Sequence, residues 1–262
     1  MAHWEMNGNA SDISGNGHNG MLIGGIQAAP NRFGSNGCAI VTSSSANYID
    51  VPGEITIDST KGATISFWSK VVPVDPTFVF GPDAYYNIRT QAIKLDERNL
   101  SDGIDRIEEQ LNSPVTSLSC SLWVNKNFAG DYIFNDCAQK WNHTVLIINV
   151  PKTGILNYQL YKNNVKLQSI GNLSTSVFNK LKVSLAKNVL YQVYDNINNT
   201  QVDLSKSVKF EYYLDEVRIY NKELSLTEID QLFRETNTCT ITSLNTEQAE
   251  KAPKQLLKAI NF

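Results

Sequence analysis

Long apolar runs are absent. Nothing approaches the roughly 20 residues that a membrane-spanning helix requires, so no membrane insertion is expected. Charge of one sign is also lacking. The 262 residues carry a net charge of −3 and no block of Lys and Arg, which excludes a general affinity for nucleic acid or an anionic membrane. Histidine occurs three times, and no His-Glu-x-x-His, Gly-x-Ser-x-Gly or phosphate-loop motif is present. Four cysteines, Cys38, Cys120, Cys137 and Cys239, lack the spacing of a metal site. The opening MAHWEMNGNASD has no apolar signal-peptide core. It is read either as an excised segment or as a chain made outside the secretory route. On the second reading buried free thiols are the expected state, with disulfides as the alternative.

What is present in quantity is asparagine, roughly one residue in nine, which suits the turns of a many-stranded protein. An AT-rich coding sequence would give the same bias. Alternation of polar and apolar residues runs through ANYIDVPG (46–53) and GATISFWSKVV (62–72), the pattern of strands with one buried face. Further strands are expected at SLSCSLWVN, DYIFND, WNHTVLIINV and VKFEYYLDEVRIYN. LNYQLYKNN and VKLQSIG form a hairpin through a tight Asn-Asn turn. Between about 75 and 114 the pattern breaks. There DGIDRIEEQLN sets Ile104, Ile107 and Leu111 at helical spacing, predicting a short helical insertion. ELSLTEIDQLFRE predicts a second short helix with Ser225 as N-cap and Glu228 three residues on, a capping box. Leu226, Ile229, Leu232 and Phe233 would form its apolar face. Residues 237–262 lose the strand pattern and end in a Lys-rich segment with Leu256, Leu257, Ile260 and Phe262, a candidate docking tail.

Several segments together resemble the laminin-G-like, concanavalin A-like domain family. HWEMNGNASDISGNGHNGMLIGG resembles its opening strand and Asp-x-Ser-Gly-Asn-Gly loop. SNGCAIVTSSSANYIDVPG resembles the next strands, and GATISFWSK its core Trp strand, with CSLWVN as a competing match. QKWNHTVLIINVPKTGILNYQLYKNNVKL resembles a Trp-x-His strand with its hairpin, and YYLDEVRIYNKELSLTEIDQLF the closing strand and helix. The resemblance spans most of residues 3–236. It implies an all-β, jelly-roll sandwich of two antiparallel sheets over 1–236, with Trp68 and Trp141 filling the space between the sheets. His143 is then a structural strand residue. The family often holds a structural Ca²⁺ where the opening loop meets the closing strand. The ligands here would be Asp12 and Asp215, with carbonyls near Asn16 and Gly17. The alternative is that Asp12 closes an Asx-turn and Asp215 pairs with Arg218 or a backbone N–H.

Related sandwiches include glycoside hydrolases that need a spaced carboxylate pair on one strand. Glu228 and Asp230 lie on the expected helix, and Asp215 and Glu216 are neighbours that strand alternation sends to opposite faces. No enzymatic activity is therefore expected. The functional expectation is a non-catalytic recognition module, binding carbohydrate or displayed on a surface for adhesion. The alternative is a structural virion-surface protein, a capsid decoration or fibre component. Sugar stacking would use exposed aromatics, and the candidates are Tyr85, Tyr86, Tyr132, Tyr191 and Tyr194. The expected partners are a glycan or another surface protein, with a homo-oligomer or capsid lattice as a further option. The expected location is extracellular or on a virion.

Overall fold

The computed structural model describes residues 1–43, 46–58, 60–73, 84–94, 106–113, 119–124, 127–132, 139–149, 155–174, 180–195, 200–202, 210–236 and 239. The first strands in chain order are β1 (Ala2–Trp4), β2 (Met21–Ile23), β3 (Gln27–Ala29), β4 (Ala39–Thr42), β5 (Tyr48–Asp50) and β6 (Ile55–Thr56). There follow β7 (Ala63–Pro73), β8 (Ala84–Lys94), β9 (Arg106–Ser113), β10 (Ser119–Val124), β11 (Asn127–Tyr132) and β12 (Asn142–Asn149). The last are β13 (Ile155–Lys162), β14 (Val165–Ser174), β15 (Lys180–Leu181), β16 (Ser184–Asp195), β17 (Thr200–Val202) and β18 (Phe210–Tyr220), before helix α1 (Leu226–Arg234).

These strands make an all-β sandwich. One sheet runs β14-β13-β12-β7-β18-β4-β3, with β1 added along β18. The other runs β11-β10-β9-β8-β16-β5-β2, with β17 added along β16. A small β15–β6 pair lies apart from both. Facing residues of the two sheets fill one core. Ile65 and Phe67 of β7, Leu146 and Ile148 of β12, and Leu214 and Val217 of β18 meet Ile49, Ile93 and Leu185 of the second sheet. Such interdigitation of alternate residues holds a double-sheet sandwich together.

Local chemistry fixes the elements. Asn163 and Asn164 both take positive φ, 49° and 65°, the conformation a two-residue hairpin turn demands and Asn tolerates. Strand β12 is buried on both faces, because α1 covers the outer side of the first sheet, where Val145, Ile147, Tyr161, Leu224 and Ile229 form a second apolar cluster. This is why its sequence reads as a continuous apolar run rather than an alternation. The expected capping box is present on α1: the Ser225 side chain accepts from the Glu228 N–H, and the Glu228 carboxylate accepts from the Ser225 N–H. Gly62 enters β7 at φ 69°, where an added Cβ would lie 2.4 Å from the Ile148 carbonyl, so only glycine fits.

Four expectations need correction. Residues 106–113 are a strand, paired with β8 on one side and β10 on the other. Ile107 and Leu111, four apart, satisfy a helical and a two-residue repeat equally, and pairing on both flanks selects the strand. The stretch 75–114 thus supplies strands to the second sheet instead of a helical insertion. Trp68 and Trp141 do not lie between the sheets: Trp68 stacks on Phe233 of α1, and Trp141 packs against Tyr213 on the same outer face. Among the described residues the indole in the inter-sheet core is Trp4, fully buried with its Nε1 donating to the His18 carbonyl at 2.8 Å. Leu226 is exposed, so the apolar face of α1 is carried by Ile229, Leu232 and Phe233. Cys38 and Cys239 are joined in a disulfide with Cα atoms 5.9 Å apart, not free thiols.

The tail proposed at 237–262 lies outside the described residues apart from Cys239, and so does Cys137. No helix among the described residues is long and apolar enough to cross a membrane.

The disulfide links positions 201 residues apart. Closing so long a loop in the unfolded chain predicts a stabilisation of about 2–5 kcal/mol. Cys38→Ser should lower the unfolding free energy from urea titration by that amount, and reductant should bring wild type to the variant's midpoint while leaving the variant unmoved.

Candidate binding surface

The opening loop is organised by one carboxylate. Asp12 Oδ1 accepts from the N–H of His3 at 3.0 Å and of Ser14 at 2.9 Å, and Oδ2 accepts from the N–H of His18 at 2.9 Å. Burial pushes its pKa up, but these donors outweigh burial and hold it below the ordinary carboxylate value. Asn16 turns its amide to the Met1 carbonyl and the Ser14 hydroxyl, and Gly17 sits at φ 78° with open space where a Cβ would be. Asp215 has a different partner, the Arg32 guanidinium at 3.2 Å. Both Asp12 oxygens accept backbone N–H groups, as in an Asx-turn, while Asp215 meets Arg32 rather than Arg218. Among the described residues no three His, Cys, Asp or Glu side chains could hold a metal ion together.

Asp215 lies at a bulge in the closing strand. Asp215 is opposite Trp68 and Arg218 opposite Ser66, so β18 advances three residues while β7 advances two. Glu216 absorbs the extra residue at φ 50°, the habit of a β-bulge. Alternation therefore fails to separate Asp215 from Glu216 as the sequence implied. Both are buried, and each is engaged by an arginine: Arg32 on Asp215, and Arg218 on Glu216 at 2.7 Å. Arg218 also reaches Glu235 beyond α1 at 2.6 Å. His3 Nε2 sits 2.7 Å from Glu216 and 2.9 Å from Arg218 Nε. One nitrogen cannot both donate to the carboxylate and accept from the guanidinium, so it does one or the other. Burial, with the neighbouring Glu216 charge, pushes Asp215 up to about 8 despite Arg32. Its Oδ1 has no partner among the described residues.

Next to this cluster Trp68 is held under α1. Its ring stacks on His143 with centroids 4.9 Å apart and on Phe233 at 5.7 Å, and Arg32 lies 4.5 Å from its centroid. His143 is buried, and its Nε2 bonds the Ser66 hydroxyl at 2.9 Å. Burial first, then the charges of Arg32, Arg218 and Lys162, drop its pKa to about 3. The imidazole is therefore neutral at ordinary pH and serves packing. An open groove of 680 Å³ runs beside α1 between Tyr220 and Gln231. Its charges are already matched: Lys222 to Glu228, Arg234 to Asp230, and Arg218 to Glu235.

Past the end of α1, Lys70, Trp141 and Tyr213 stand on the outer face of the first sheet, each partly exposed among the described residues. Lys70 of β7 is the register partner of Tyr213 on β18, and Trp141 enters β12 on the other side. The Trp141 and Tyr213 rings meet edge to face, 6.1 Å between centroids at 73°. The Lys70 ammonium lies 4.0 Å from the Tyr213 centroid and 5.3 Å from that of Trp141. The Tyr213 hydroxyl donates to Glu211 at 2.6 Å; burial and that carboxylate push it up to about 12. All three side chains are half-buried. Along the same row, Val41 pairs with Tyr213 and exposed Gln27 with Val41. The result is an aromatic platform of two rings set at a steep angle, with the Lys70 ammonium against both and polar groups at its rim.

Four of the five tyrosines expected from the sequence to bind sugar stand on the neighbouring strands β8 and β16 of the other sheet. Tyr85 pairs with Tyr194, Tyr86 with Val193, and Tyr191 with Ile88. Tyr132 pairs with Cys120 at the β11 edge. Their side chains lie outside the described residues. The platform on the first sheet was missed because Trp141 was assigned to the core. The alternation Ser66, Trp68, Lys70 is the signal that sets Lys70 on the outer face beside it.

Neither the models of known protein families nor the curated proteins contain a match to this chain. Solved structures do. The binding domain of botulinum neurotoxin serotype D superposes with a TM-score of 0.50 at 21% identity, over 89% of this chain and 51% of that one. A structure described for ganglioside-dependent cell entry of botulinum neurotoxin type C gives 0.51 at 17%, over 89% and 50%. The binding domain of neurotoxin DC in complex with rat synaptotagmin II gives 0.50 at 16%, over 89% and 50%. The chain shares the fold of these domains. It spans about half of their length, and at such identity the likeness concerns architecture alone.

Two outcomes follow. Asp12→Ala strands three backbone N–H groups and should cost about 1–2 kcal/mol; a wild-type melting temperature unmoved by chelator is the outcome for the Asx-turn alone, and a chelator-dependent fall that Asp12→Ala abolishes marks a bound ion. For His143, the folded value of about 3 lies below the ordinary 6.5. The unfolded chain therefore takes up a proton in that window that the folded chain refuses, and stability falls as pH drops from 6.5 towards 3. His143→Gln should flatten this slope in urea titrations at pH 7 and pH 4.5.

Proposed function

We propose that the chain is a non-catalytic, laminin-G-like recognition module that holds carbohydrate on the platform of Trp141, Lys70 and Tyr213. The observation that carries this reading is the pair of partly exposed rings, with the Lys70 ammonium against both, on the outer face of the first sheet. Pyranose C–H faces stack on such rings, while hydroxyls take hydrogen bonds from and to polar groups at the rim, here Lys70 and Glu211. The likeness to toxin binding domains, one described with gangliosides and one with a protein receptor, supports a binding role over a catalytic one. The Cys38–Cys239 disulfide supports an oxidising, extracellular setting. A protein ligand is the competing partner, since a patch of aromatic and charged groups also suits one. The virion-surface alternative would dock through the 75–114 stretch or through the tail, which apart from Cys239 lies outside the described residues.

A glycan array on the intact chain, followed by titration of tryptophan fluorescence, tests the reading. Trp141→Ala and Tyr213→Ala should each weaken binding at least about tenfold, roughly 1.4 kcal/mol. Melting temperatures should change little, because both rings are partly solvated. Binding that survives both substitutions at wild-type strength would place the ligand elsewhere, and silence across the array would favour the protein partner.

A further inference from the structure

Lys70 stands apart from the other cations on the outer face of the first sheet. Arg32 meets Asp215, Arg218 meets Glu216 and Glu235, Lys222 meets Glu228, and Arg234 meets Asp230. Lys70 makes no hydrogen bond or ion pair among the described residues; its contacts are the two ring faces. The nearest acidic group with an electrostatic effect on it is Glu211, whose carboxylate takes the Tyr213 hydroxyl. An ammonium pinned by two rings has already given up much of its rotamer freedom, so pairing it with an anion costs less ordering than pairing a free surface lysine. Partial burial lowers its pKa, so the charge is short of solvation that an anion would replace.

We infer that the platform is built for an acidic saccharide, with the sugar ring on Trp141 and its carboxylate or sulfate on the Lys70 ammonium. This deepens the carbohydrate reading and rests on it. The geometry assigns the two parts of the ligand to separate groups: stacking to the rings, charge to Lys70. A neutral sugar would satisfy the first and leave the cation unmatched. An acidic one satisfies both, and Glu211 at the rim penalises a second negative charge on its side.

The experiment uses matched pairs of oligosaccharides that differ in one acidic residue: sialylated against desialylated, uronate against its neutral hexose, and sulfated against unsulfated. Each is titrated against the intact chain at low and at physiological salt. Wild type should bind the acidic member of at least one pair tenfold or more tightly, with the advantage shrinking as salt rises. Lys70→Gln should bring both members to the same affinity, Lys70→Arg should keep the preference, and Glu211→Gln should widen it. Equal binding of both members by wild type, or a preference that survives Lys70→Gln, overturns the inference while leaving the carbohydrate reading intact. Failure of wild type to bind either member of any pair overturns both.

Discussion

One extra residue in β18 organises the outer half of this molecule. Because the strand gains a step between Asp215 and Arg218, its inward set shifts from Tyr212 and Leu214 to Val217 and Ile219, and the core continues unbroken. The same edge of β18 is shared by β4 before the bulge and β1 after it. The gap between those two partners is where Arg32, from the β3–β4 loop, and His3, on β1, reach the carboxylates. Without the bulge, Asp215 and Glu216 would fall on opposite faces, and one acid would sit in the apolar core without a matching cation.

Charge burial on this scale is costly, and the structure offsets it with aromatic surface as well as with counter-ions. Arg32 sees Asp215 on one side and the rings of Trp68 and Phe33 at 4.5 Å each. Guanidinium groups are weakly hydrated and stack well, so they suffer less from such placement than an ammonium would. Lys70 repeats the theme one register step further along the face with a more strongly hydrated cation, which is why it is the one positioned to gain from an outside anion. The helix divides the two regions: beside it Arg32 and Arg218 meet carboxylates, and past its end Lys70 meets the Tyr213 and Trp141 rings.

Much of the fold could be read from the residues. Strand alternation, the Asn163–Asn164 turn and the Ser225 capping box each depend on neighbours a few positions apart, so their signals survive in the sequence. Face assignment was harder. Phe67 and Trp68 are adjacent and both large, and with α1 covering the outer face either could have been the core residue; only the helix decides that Trp68 packs outside. Ile107 and Leu111 fit two repeats, and long-range pairing chose between them. The bulge in β18 breaks the period-two rule that separated Asp215 from Glu216, and nothing in the string LDEVR announces it. The disulfide joins residues whose spacing carries no message. The platform was invisible for a similar reason: Lys70, Trp141 and Tyr213 meet only because β12, β7 and β18 are neighbours across the sheet.

The disulfide also changes what the chain is as a mechanical object. From Cys38 to Cys239 the covalent path closes on itself, so most of the sandwich is a ring. Tension applied between residues on either side of that ring passes through the sulfur bridge and bypasses the strands inside it. Only β1, β2, β3 and the loops around them lie on the loaded path before the bridge. A module attached to a moving surface at one side and to other chain at the other would therefore shed its first strands under load while β7, β12 and β18, and the platform they carry, remain slack. A cut in any one loop inside the ring would leave both fragments covalently tied.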